Sequence, residues 1–206
     1  LVDLTIPIEA EQIASLNLLD VVRLSGILVT ARDAAHKFLV ETFIEPGEPP
    51  EEERELYGRL SDLFRGGVIY HCGPVVARTD GKWRFVSAGP TTSIREEPYE
   101  HRVIGHFGVR AIIGKGGMGP KTLEANRRHK AVYLHAVGGA GTLIADSVTE
   151  VVDVLKPEFG TPEALWVVRV ENFPAVVTMD AHGNSLHARV ADESRKKLEE
   201  LLALGS

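Results

Sequence analysis

Two short segments hold the residues best suited to chemistry. They are Gly89-Pro90-Thr91-Thr92-Ser93-Ile94-Arg95 and Gly114-Lys115-Gly116-Gly117-Met118-Gly119-Pro120-Lys121. Each places hydroxyls or bare glycine backbone beside an isolated cation. Glycine lets backbone N–H groups approach a ligand closely, and lysine or arginine supplies charge, so both segments read as cradles for an anion. Arg32, at the end of an apolar run through Val29 and Thr30, is a third candidate cation. Glycines and cations recurring at strand ends point to one crevice lined by several segments.

The spacing narrows the choice of anion. A P-loop needs Gly, Lys and Ser/Thr in direct succession, whereas here Pro120 separates Gly119 from Lys121-Thr122 and has no N–H to offer. Gly114-x-Gly116-x-x-Gly119 matches the dinucleotide string between an expected strand and an expected helix. The strand after that helix carries no acidic residue for the ribose, so an NAD-binding oxidoreductase using Gly114–Gly119 is only an alternative. Plainer readings also exist. The glycines suit a tight strand-to-helix turn, a hydroxyl at Thr91, Thr92 or Ser93 suits a helix N-cap, and Arg32 can pair with Asp33. Lys115 has no such plain account.

The elements that must position these residues follow from periodicity and punctuation. Strands are expected at 1–8, 20–24, 26–30, 68–70, 75–77, 84–87, 109–113, 131–137, 150–155, 165–170 and 175–179. Asp80-Gly81 marks a hairpin. Helices are expected at 9–16, 31–40, 51–64, 120–129, 138–145 and 191–204. The mixture without strict alternation predicts an α/β fold with a mixed sheet, one domain over 1–206. Within it, 1–20 forms an N-terminal strand and helical turn, and 45–65 reads as an insertion with a helix.

Composition sets outer bounds. The 206 residues carry a net charge of −6, with 44% hydrophobic and 25% charged residues, enough for a full core. That charge argues against nucleic acid or an anionic membrane as partner. Without an apolar run of membrane-spanning length or a leader-like segment, the expectation is a cytoplasmic protein. The single cysteine, Cys72, excludes an internal disulfide or an all-cysteine cluster built by this chain alone. The eight histidines show no helical metal spacing, so no metal site is expected from these residues.

Six ordered motifs carry a resemblance. They are Val29-Thr30-Ala31-Arg32-Asp33-Ala34-Ala35-His36-Lys37, Tyr70-His71-Cys72-Gly73-Pro74-Val75, Ser87-Ala88-Gly89-Pro90-Thr91-Thr92-Ser93-x-Arg95, Ile113-Gly114-Lys115-Gly116, Ala131 through Ala140, and Val170-Glu171-Asn172-Phe173-Pro174-Ala175. Across residues 3–185 the chain resembles the β subunit, or C-terminal domain, of class I fumarate hydratases and the related L-tartrate dehydratases. The resemblance implies a swivelling β/β/α domain docked on an α subunit in an α2β2-type hetero-oligomer. It implies a [4Fe–4S] cluster held by that α subunit, not by this chain, and a small dicarboxylate substrate. It assigns Thr91 and Lys115 to catalysis, and Arg32, Arg95, Lys115, Thr92 and Gly89 to substrate binding. Ile94 departs from the family's usual glycine. His36 and His71 lie within motifs but read as structural, and Cys72 reads as a small buried hydrophobe.

Overall fold

The computed structural model describes residues 1–204. In chain order these form β1 (Val2–Thr5), α1 (Ala10–Ala14), β2 (Val21–Thr30), α2 (Asp33–Phe38), a wide π-type turn at Leu39–Ile44, α3 (Arg54–Phe64), β3 (Val68–Tyr70), β4 (Val75–Thr79), β5 (Lys82–Ser87), α4 (Glu100–Phe107), β6 (Ala111–Gly114), α5 (Pro120–His129), β7 (Val132–His135), α6 (Gly141–Ala145), β8 (Val148–Leu155), β9 (Leu165–Met179) and α7 (Leu186–Leu204).

Among the described residues seven strands make one mixed sheet in the order β1-β2-β3-β6-β7-β9-β8, and β2 also pairs with β9. The extra pairing closes β2, β3, β6, β7 and β9 into a ring. The β2-β3-β6-β7 arc is parallel, and β9 runs antiparallel to both of its ends. Alternation along the parallel strands separates two cores. Val68, Tyr70, Ala111, Ile113, Val132 and Leu134 face the ring interior. Ile69, Ile112 and Tyr133 face outward under the helices, with Leu39, Phe43, Leu60, Phe64 and Val103. Residues directly after β2, β3, β6 and β7 gather at one end of the ring, the carboxyl edge where open α/β sheets place their ligands.

Several expected boundaries need correction. The pieces 20–24 and 26–30 are one strand, β2, with a register shift between Leu24 and Gly26. The pieces 165–170 and 175–179 are likewise one strand, β9, although Pro174 lies inside it. A proline demotes a strand only where its N–H is needed. Here Asn172 adopts φ 53° and its N–H reaches the Ser25 hydroxyl at 3.0 Å, so an irregularity in β9 faces the one in β2. Helix α7 begins at Leu186 instead of 191, because the Ser185 hydroxyl accepts the Ala188 N–H at 3.2 Å and caps it. Helix α4 was not anticipated, because its apolar residues Val103, Ile104 and Phe107 fill little more than one turn. The Asp80-Gly81 hairpin holds, with both residues at positive φ (52° and 78°), as a two-residue turn requires.

Candidate active site

The two anion-cradle segments lie side by side at the carboxyl edge. Thr92 and Lys115 form an isolated parallel bridge. The Lys115 N–H donates to the Thr91 carbonyl at 3.2 Å, and the Ser93 N–H donates to the Lys115 carbonyl at 3.0 Å. Thr91 is also tied to the residue after β3: its N–H (2.7 Å) and its hydroxyl (3.1 Å) both donate to the His71 carbonyl. Arg32, half-buried behind β2, lies against Gly73, where an added Cβ would come 2.5 Å from its Nη1. Arg32 Nη2 is 3.3 Å from Glu163 and 3.9 Å from Asp33 Oδ2, and Arg95 Nη2 is 3.1 Å from that same Asp33 oxygen. The two arginines therefore already converge on a carboxylate. Thr91, Thr92, Lys115, Arg32 and Arg95 are brought to one edge. Gly89 packs instead against Gly141, 3.7 Å from an ideal Cβ. Ile94 is half-exposed, so its branched side chain crowds no core.

The glycine loop holds an anion, but it is the chain's own. The Glu97 carboxylate accepts the Gly119 N–H (2.9 Å), the Lys121 N–H (2.8 Å), the Thr122 N–H (3.3 Å) and the Thr122 hydroxyl (2.6 Å). Pro120, first in α5, has no N–H. Every donor that a dinucleotide pyrophosphate would need at this helix start is taken. The NAD-binding alternative fails on that ground. Gly117 is required here for two reasons: it adopts φ 79°, and a Cβ would overlap the His187 ring.

Under the loops runs a wholly buried polar row. His36 Nδ1 donates to the Arg32 carbonyl (2.9 Å), and its Nε2 stands 2.7 Å from Glu100 Oε2, an arrangement that suits an imidazolium–carboxylate pair. His71 Nε2 donates to the same Glu100 oxygen at 2.9 Å. His71 Nδ1 then accepts the Ser93 hydroxyl at 2.9 Å, and Ser93 accepts the Tyr133 hydroxyl at 2.8 Å. Burial pushes the His36 pKa down, but the Glu100 charge and hydrogen bond, with Glu96, overcome it and raise it to about 9. Burial opposes ionisation of Glu100, but the His36 charge and the bonds from both rings lower it to about 2. Burial lowers His71, keeping it neutral. Burial raises Glu96 to about 7, against the pull of His36.

Two familiar readings of this row fail. Tetrahedral zinc with bonds near 2.05 Å keeps its ligands about 3.3 Å apart, whereas both imidazoles stand at hydrogen-bond distance from one carboxylate oxygen. Ser93, His71 and Glu100 also imitate a hydrolytic triad, but Ser93 is fully buried and offers no attack on a substrate. Cys72 is buried, and burial pushes its thiol up to about 12. No described helix is long and apolar enough to cross a membrane.

Sequence reasoning missed Glu97, Glu100 and the role of Tyr133, and gave Asp33 only as a partner for Arg32, not as the carboxylate that Arg32 and Arg95 share. The carboxylates stand among many surface acids, and nothing in their spacing separates a buried one from a solvated one.

Comparison with known proteins gives a consistent answer. A family profile described as Fumarase C-terminus matches residues 1–190. A Geobacillus stearothermophilus protein named "Putative fumarate hydratase class I" is 48% identical over 200 residues, covering 97% of this chain and 36% of that protein. The chain thus spans about a third of that relative's length. The L(+)-tartrate dehydratase subunit beta of Escherichia coli (strain K12) is 41% identical over 186 residues, covering 90% of this chain and 86% of the relative.

Proposed function

This chain belongs to the fumarase C-terminus family, and from that premise we propose that it is the β-type portion of a hydro-lyase acting on a C4 dicarboxylate. The reading favours reversible hydration of fumarate to L-malate. Dehydration of L-tartrate is the second reading, favoured by the near full-length match to a tartrate dehydratase β subunit. The observation that carries the proposal is the pair of guanidiniums meeting at one carboxylate oxygen, next to the Thr91–Lys115 ladder.

Arg32 and Arg95 would grip a substrate carboxylate in the way they now hold Asp33, since a planar guanidinium suits a planar carboxylate. Lys115 adds charge, and the extra negative charge that develops during elimination is stabilised by fixed cations. Elimination removes a proton from the carbon beside the one that loses hydroxide, and hydration reverses both steps. By family resemblance Thr91 handles that carbon-bound proton. A threonine hydroxyl is a very weak acid, so it serves as base only where cations favour its alkoxide. Its bond to the His71 carbonyl fixes its position in the resting structure.

A [4Fe–4S] cluster would fit this chain only as a group held by the partner, because Cys72 is its single cysteine and is buried, whereas such a cluster needs several thiolates. Such a cluster supplies Lewis-acid polarisation of a substrate oxygen. The partner is then a cluster-bearing α subunit or segment, in an α2β2-type assembly in the cytoplasm.

The test is anaerobic reconstitution of this chain with its cluster-bearing partner, assayed on fumarate and on L-tartrate. Turnover of one diacid by the pair, and of neither by this chain alone, is expected. An active-site-competent pair that turns over neither sinks the proposal.

A further inference from the structure

The buried row beneath the loops takes no part in the chemistry just described, yet it touches every segment that does. Its members His36, His71, Ser93 and Glu100 are completely buried, as is Tyr133. One protonation pattern satisfies these bonds with the charges that the buried pair favours: His36 charged, Glu100 charged, His71 neutral with hydrogen on Nε2, and the Ser93 and Tyr133 hydroxyls each donating one way. In such a row each bond sets the direction of the next, so a tautomer change or a shift of one member disturbs its neighbours.

Its attachments are specific. His71 holds Ser93 through its ring and Thr91 through its carbonyl, gripping the loop on both sides of Thr92. The Ser93 N–H holds the Lys115 carbonyl, and the Lys115 N–H holds the Thr91 carbonyl. At the far end, the His36 N–H and Nδ1 both bind the Arg32 carbonyl at 2.9 Å. A Cβ at Gly114 would overlap Ser93 Oγ and stand 3.0 Å from the Tyr133 hydroxyl and 3.2 Å from His71 Nδ1. The row thus abuts the residue immediately before Lys115. Buried ion pairs are weak evidence for stability, since apolar packing often does as well. Their attachments here suggest a different use.

We propose that Tyr133–Ser93–His71–Glu100–His36 is a positioning row, whose directed hydrogen bonds set the register of Thr91 against Lys115 and anchor the backbone of Arg32. These are positioning residues: none touches substrate. The proposal rests on the hydro-lyase reading for what is positioned, but not for the existence of the row.

The test is Ser93→Ala, which removes one oxygen and keeps the packing. Hydrogen exchange on the chain is expected to speed up at the Thr91 and Lys115 amides by about ten-fold or more, with the core amides of Ile112 and Val168 unchanged. In the reconstituted enzyme, kcat on the diacid that the wild type turns over is expected to fall about ten- to hundred-fold. KM is expected to stay within about three-fold, a split that simple loss of folded protein does not produce in active-site-normalised rates. Should Ser93→Ala fail to fold, Tyr133→Phe removes the other bond to Ser93, with an expected loss in kcat of about three- to ten-fold. Unchanged exchange at both amides, or an unchanged kcat, overturns the proposal. A wild-type pair inactive on both diacids, with the two amides still released by Ser93→Ala, overturns the functional reading and leaves the row standing.

Discussion

Replacing Gly114 with alanine is the sharpest probe of the packing beneath the site. The new methyl would occupy the position of Ser93 Oγ and press on the Tyr133 hydroxyl at 3.0 Å and His71 Nδ1 at 3.2 Å. Forcing a methyl into a filled interior costs about 1–3 kcal/mol. If Ser93 swings away, it also strands the Tyr133 hydroxyl or the His71 nitrogen, and each stranded buried group costs about 1–3 kcal/mol. Relaxation keeps these from adding fully, so about 3 kcal/mol is expected. For a domain of this size that corresponds to a fall in Tm of about 6–12 °C. Gly89→Ala is the matched control: its Cβ would meet only Gly141 Cα at an ordinary 3.7 Å, and its stability change is expected within about 0.5 kcal/mol. Thermal and urea unfolding of the chain measure both. A Gly114→Ala protein within about 0.5 kcal/mol of wild type would refute the packing of Ser93 against Gly114.

Other outcomes follow from the same geometry. Glu97→Ala leaves three backbone donors and the Thr122 hydroxyl without their acceptor, so calorimetry is expected to show a loss of about 1–2 kcal/mol. Stability should depend on pH through the buried row. His36, raised from 6.5 to about 9, contributes fully below 6.5 and loses its contribution as pH rises through 9. Glu100, lowered from 4.5 to about 2, contributes above 4.5 and loses its contribution as pH falls towards 2. Glu96 acts in the opposite sense: raised from 4.5 to about 7, it makes the folded state less stable as pH climbs through that window. His71, lowered by burial, acts in the opposite sense to Glu96 over part of the same window. Urea midpoints between pH 4.5 and 7 should therefore fall less, or rise more, with pH in Glu96→Gln than in wild type, and an unchanged profile assigns the dependence to another group. Thr91→Ala is expected to lower kcat of the reconstituted enzyme by about 10²–10⁴-fold, the scale of a positioned base, and full activity excludes the assignment. Arg95→Ala is expected to reduce kcat/KM by about ten- to a hundred-fold, the scale of a charge-assisted hydrogen bond, read from steady-state rates on the diacid.

What could be read from the sequence depended on how local its cause was. The Asp80-Gly81 hairpin and α5, opened by Pro120, have causes within a few residues. The glycine loop was recognised as an anion cradle for sound local reasons, but its anion lies 22 residues upstream at Glu97. Closure of the ring was out of reach, because the pairing of β2 with β9 depends on register between distant segments. The continuity of β9 through Pro174 had the same origin, since the matching irregularity lies in β2. The neighbouring elements of His36 and His71 mark both as structural even within their motifs, but their shared partner, Glu100, sits on α4, a helix whose apolar pattern is too short to stand out in the sequence.

The pairing of β2 with β9 also orders events in time. Gly26 faces Val170 and Val29 faces Val167, so this edge of β2 stays open until the last strand of the ring has left the ribosome. Contacts of such sequence separation are slow to form, because a long loop must close before they bring any return in stability. Arg32 hangs from the end of β2 and Lys115 from the end of β6, and Thr91, which follows β5 of the separate two-stranded sheet, is held to His71 directly after β3. A nascent chain lacking residues 165–179 therefore carries the chemical groups of the site without the frame that gathers them. The frame at this edge is completed only when residues 165–179 are present, and it is completed for all these residues together.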